Sequence, residues 1–147
     1  MKAKDVYLTL VSTQSDGSEE QQTELFTSAN YEKTADGYRI SYDESDATGF
    51  KGAKTTLTTF GESRVVMERS GDAKSQLILE KGRKHHCHYG TPYGDFMLGV
   101  TASEIRSSLM ENGGSLKFKY VIDINSGYLG DFEVDIKIRN AANGLES

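Results

Sequence analysis

Ser115-Leu116-Lys117-Phe118-Lys119-Tyr120-Val121-Ile122-Asp123-Ile124, followed after Asn125-Ser126-Gly127 by Tyr128-Leu129-Gly130-Asp131-Phe132-Glu133-Val134-Asp135-Ile136-Lys137-Ile138, reads as two strands of one hairpin. Leu116, Phe118, Tyr120, Ile122 and Ile124 alternate with Ser115, Lys117, Lys119, Val121 and Asp123, and Phe132, Val134, Ile136 and Ile138 repeat the pattern. A period of two is a strand's period, because successive side chains point to opposite faces. A three-residue loop at Asn125-Ser126-Gly127, with Gly127 at positive φ, sets Ile124 opposite Tyr128. The outer face then pairs Lys119 with Glu133 and Lys117 with Asp135. A slip of two residues would oppose Lys117 to Lys137 and Asp123 to Asp131, and facing like charges are destabilising. The first register is therefore predicted.

The same alternation runs outward along the chain. Val6, Leu8 and Leu10 share a face, as do Tyr38, Ile40 and Tyr42; Val65 and Met67; Leu77 and Leu79; and Phe96, Leu98 and Val100. Fifteen glycines and one proline punctuate these segments at intervals of about ten residues, a β rhythm. Residues 101–111 admit two readings. Thr101-Ala102-Ser103-Glu104 has the form of a helix capping box, with Ile105 and Leu109 four apart, whereas a strand returning toward Asn112-Gly113 suits the hairpin rhythm better. The fold class is all-β. Eight to eleven short antiparallel strands make a sandwich or a barrel, and a closed or nearly closed barrel is favoured because closure removes exposed edges.

A chain of 147 residues fits one domain over 1–147, with its core at about 5–138 and a loose tail at 140–147. The 36% hydrophobic and 27% charged composition is that of a globular protein. A net charge of -5, with Lys81, Arg83 and Lys84 as the closest approach to a basic cluster, argues against nucleic acid as a partner. Cys87 is the single cysteine, so no internal disulfide forms, and no run of about 18 apolar residues offers a membrane span. The residues before Val6 carry no apolar signal core, which makes the cytoplasm the expected compartment.

Several motifs carry a resemblance. Tyr38-Arg39-Ile40-Ser41-Tyr42-Asp43-Glu44, Arg69-Ser70-Gly71, Tyr89-Gly90-Thr91-Pro92-Tyr93-Gly94 and Glu111-Asn112-Gly113-Gly114-Ser115-Leu116 with Tyr120 occur in an order that resembles the YwiB-like family of small bacterial proteins. The resemblance covers about residues 5–138. It implies a calycin-type barrel, similar in architecture to lipocalins and fatty-acid-binding proteins, and it implies no activity. Unlike true lipocalins the chain has no tryptophan, so their Gly-x-Trp signature is absent.

Two charges fall on the apolar side of their strands. Continuing Tyr38, Ile40, Tyr42 brings Glu44 inward, and continuing Val65, Met67 brings Arg69 inward. An unpaired charge in a barrel interior costs several kcal/mol, so both must find partners. In the functional reading Arg69 is an anion hook for a ligand, supported by Glu44 and the hydroxyls of Tyr42 or Tyr120. In the structural reading Arg69 and Glu44 pair with each other or reach solvent at the rim. Thr91-Pro92-Tyr93-Gly94 fits a type I turn, and Tyr93 is the residue a binding loop would offer there.

His85-His86-Cys87-His88 is the other feature with chemical capacity. On a strand His86 and His88 share one face, while His85 and Cys87 share the other, so at most two could meet one metal without help from a neighbour. Zinc ordinarily takes three or four protein ligands, which leaves His86 and His88 as weak candidates and no metal or cofactor expected. Catalytic signatures such as G-x-S-x-G, the P-loop and H-E-x-x-H are missing, and no catalytic residue is assigned. The preferred expectation is a non-catalytic barrel binding a small amphipathic or anionic molecule. The alternatives are a packed structural or interaction barrel, and a metal-dependent or hydrolytic enzyme using the histidine stretch.

Overall fold

The computed structural model describes residues 4–44, 52–71, 74–91 and 94–140. Among the described residues ten strands follow one another: β1 (Lys4–Ser15), β2 (Glu20–Lys33), β3 (Tyr38–Asp43), β4 (Lys54–Phe60), β5 (Arg64–Ser70), β6 (Ser75–Glu80), β7 (Lys84–Thr91), β8 (Gly94–Ser107), β9 (Gly113–Ile124) and β10 (Gly127–Asn140). Each pairs antiparallel with its chain neighbours, and β10 returns to β1, closing the barrel. An up-and-down meander of this kind has no free edge. Tyr93, with Pro92, lies outside the described residues, and so do Asp72 and residues 141–147 of the expected tail.

The β9–β10 hairpin keeps the predicted outer register, with Lys119 opposite Glu133 and Lys117 opposite Asp135. Lys117 Nζ and Lys119 Nζ both reach Glu133 Oε1, at 3.2 and 3.8 Å. The turn differs from expectation. Asn125 and Ser126, at φ 53° and 67°, make a two-residue loop, and Gly127 pairs directly with Ile124. Two positive φ values suit the right-handed twist of a tight hairpin. An extra residue at Leu129, between Tyr128 and Gly130, then shifts the register by one and restores the pairing that charge dictates.

Residues 101–107 are strand, with a bulge between Ala102 and Glu104. Ser103 is the extra residue, so Val100 and Ala102 point inward before it and Ile105 after it. Ile105 and Leu109, four apart, are both buried without a helix, because an even spacing keeps to one face of an extended chain as well. A regular strand cannot place Ala102 and Ile105 on one face, but a strand with one inserted residue can.

The barrel has two unlike halves. The end carrying the β2–β3, β4–β5 and β8–β9 connections is filled by Val6, Leu8, Tyr31, Ile105, Phe118 and Ile136, all essentially without solvent exposure. Tyr31 stacks on Tyr38 at 5.1 Å and donates its hydroxyl to the Met110 carbonyl at 2.7 Å, plugging that end. The opposite end, where the β1–β2 and β9–β10 turns lie, is hollow.

One seam is thin. β6 and β7 share a single register pair, Ser75 with Tyr89. The Ile78 amide donates instead to Cys87 Sγ at 3.3 Å, so a side chain substitutes for a missing ladder carbonyl.

Candidate functional site

The hollow end holds a cavity of about 420 Å³ whose wall includes Leu10, Leu57, Met67, Leu77, Leu98 and Val134, with Tyr42, Glu44, Arg69 and Tyr120 among its polar groups. Phe96 and Leu129 line it too while remaining 46% and 47% exposed, so the cavity meets solvent beside them. Ser12, Gln14, Gln21 and Thr23, inward on β1 and β2, give the upper wall a polar rim.

Glu44 and Arg69 both point into this space. Tyr42, Thr55 and Arg69 lie in line across β3, β4 and β5, since Tyr42 pairs with Thr55 and Thr55 with Arg69. Glu44, two residues beyond Tyr42, therefore stands above Thr55. Arg69 Nη2 donates to Glu44 Oε2 at 3.2 Å, the Thr55 hydroxyl donates to the same oxygen at 2.7 Å, and Arg69 Nε donates to Thr55 Oγ1 at 3.2 Å. The Arg69 side chain is 13% exposed and that of Glu44 only 2%. The pair satisfies the requirement that inward charges find each other, and it does so on the cavity wall.

One atom is left over. Glu44 Oε1 is buried and takes no hydrogen bond among the described residues. Leaving a buried acceptor without a donor costs about 1–3 kcal/mol, more when the group is charged.

The tyrosines frame the pair. Burial pushes the Tyr120 phenol up to about 12, with the positive charge of Arg69 opposing the rise. Burial raises Tyr42 as well, and the adjacent Glu44 carboxylate adds to the effect. Both stay neutral hydroxyls at physiological pH. Tyr120 is held between Phe132, stacked at 5.1 Å, and Phe118 at 6.0 Å. Thr55 was not singled out from the sequence. Its signal was there in Lys54-Thr55-Thr56-Leu57-Thr58-Thr59, where counting two back from Leu57 turns Thr55 inward.

The histidine stretch obeys strand parity and gathers no site. His86 and His88 are exposed on the outer face, and His88 Nε2 lies 3.3 Å from Asp95. His85 faces Glu80 at 2.9 Å, a hydrogen bond that holds the Glu80 carboxyl below its usual range. Cys87 is buried, and desolvation raises its thiol. Among the described residues no three His, Cys, Asp or Glu side chains converge as metal ligands would.

Fold and site together define a ten-stranded up-and-down barrel, packed at one end and hollow at the other, with an acid–base pair on the cavity wall. The chain belongs to the family described as Domain of unknown function (DUF1934), whose model matches residues 8–136. Among solved structures it is similar to the ywiB protein from Bacillus subtilis, at 21% identity and a TM-score of 0.80, covering 95% of this chain and 93% of that one. The likeness bears out the resemblance read from the motifs and speaks for the fold. No curated protein matches the chain. No helix among the described residues is long and apolar enough to cross a membrane.

Proposed function

We propose that this protein is a non-catalytic binding barrel that takes a small amphipathic molecule into its hollow end, apolar part inward and polar head against Arg69, Glu44 and Thr55. The observation that carries the reading is the cavity. Its volume of about 420 Å³ falls within the range of small-molecule sites, roughly 300–1,000 Å³. Such sites pair a mostly apolar wall with a few convergent polar groups, as Leu57, Met67 and Leu98 do here with the Glu44–Arg69 pair. The cavity favours this reading over a barrel fully packed by its own side chains. His86 and His88 are exposed on the outer face, away from the cavity, which lends the histidine stretch less support than the cavity lends the binding reading.

A neutral solvatochromic dye tests the reading. Saturable one-to-one uptake is expected, and it should be lost in Met67→Trp and in Leu98→Phe, which fill the cavity from two walls. A dye that does not bind saturably, or that binds both variants like the parent, would overturn the proposal.

A further inference from the structure

The ligand's head follows from the charge count and the orphaned oxygen, and this step rests on the binding reading above. We infer that the cavity selects an amphiphile whose head is uncharged and carries an O–H or N–H donor, such as a long-chain alcohol or primary amide, over the carboxylate of the same chain.

Three observations lead there. Arg69 and Glu44 face each other at 3.2 Å on the cavity wall, so among the described residues the two charges that a head group would meet there cancel. An entering anion would place a second negative charge beside a Glu44 carboxylate that is almost wholly withdrawn from water, where charges are poorly screened. Glu44 Oε2 already accepts from Thr55 and Arg69, while Oε1 accepts from no described residue. Buried polar atoms in native proteins nearly always have a partner, so Glu44, a residue of the cavity lining, holds an acceptor that a small shift of its carboxyl would bring to a donor in the cavity. An alcohol or amide supplies that donor and adds no charge. The anion hook expected of Arg69, with Glu44 as its support, thus becomes a site for a neutral donor.

Displacement of the bound dye at pH 8 by decanol, decanamide, methyl decanoate and decanoate distinguishes the possibilities. Decanol and decanamide should displace it at concentrations at least about tenfold lower than decanoate, and well below methyl decanoate, which lacks a donor. Glu44→Gln removes the negative charge and should tighten decanoate about tenfold. Because the series is run on the parent protein, the inference stands or falls even if that variant does not fold. Decanoate binding as tightly as decanol would overturn the neutral-head inference. Methyl decanoate matching decanol would overturn the donor role, leaving Oε1 to water. Either result would leave the barrel a binding protein, and failure of all four compounds to displace a saturably bound dye would overturn the neutral-head inference alone, since the binding reading falls only with the dye uptake itself.

Discussion

Arg69 and Glu44 show how a single side chain's worth depends on its partner. Removing one member of a buried ion pair leaves the other charge stranded, at about 3–5 kcal/mol, whereas removing both is far milder. Arg69→Met should therefore destabilise the fold by about 3 kcal/mol in urea unfolding, and the double variant with Glu44→Gln should recover most of the loss. Additive effects of the two changes would mean that the pair does not interact. The phenols give a second check. A phenol whose folded pKa is raised binds its proton more tightly when folded, so its contribution to stability is complete below its ordinary value near 10 and is lost as pH rises through the folded one. Tyr120 at about 12, with Tyr42 and Tyr31 also raised by burial, predicts stability falling between pH 10 and 12. An ultraviolet titration should show these phenols lagging the exposed ones; all eight tyrosines ionising together near pH 10 in folded protein would contradict their burial. Glu44 and Arg69 were legible from parity alone. Thr55 was overlooked because a threonine inside a barrel looks unremarkable until its partner is known.

At the scale of elements, alternation found the strands wherever they were regular and faltered wherever one residue was added. The bulges at Ser103 and Leu129 each invert parity, and no period-two pattern announces them in advance. The outer charges of β9 and β10 still located the register, because Coulomb preference between Lys117, Lys119, Glu133 and Asp135 is indifferent to how the turn is made. The turn itself went astray because Gly127 is the residue freest to adopt positive φ, yet Asn125 and Ser126 adopt it. Deleting Ser103 takes out the one residue that β9 does not match, so it should leave Ile105 inward opposite Phe118 and cost less than about 1 kcal/mol, and Ser103→Ala should be nearly silent as well. Thermal melts of the two variants decide it; a deletion variant melting far below Ser103→Ala would show that Ser103 is not the surplus residue of this strand.

For the whole molecule, closure was inferable from the need to hide edges, but the division into a packed and a hollow half was not. Cavity volume depends on how side chains from ten strands meet across the interior, and alternation along one strand holds no such information. The thin β6–β7 seam was equally invisible, since Cys87 reads as one more inward residue until its sulfur is seen accepting the Ile78 amide. Hydrogen exchange should find the amides of β6 and β7 opening before those of β9 and β10, and thiol labelling of Cys87 should track that opening. Uniform protection around the barrel would show that the thiol seals the seam as well as a full ladder.

The pairing of β1 with β10, from Val6 opposite Asn140 to Ser15 opposite Asp131, joins the first strand to the last. A polypeptide emerging from the ribosome can form every other hairpin as it appears, yet it must carry β1 with one side bare until the tenth strand arrives. Any copy that stalls before that point shows two sticky flanks, on β1 and β9, to its neighbours. Premature termination within the last fourteen residues of the sheet is thus a route to aggregates, and not merely to a smaller barrel.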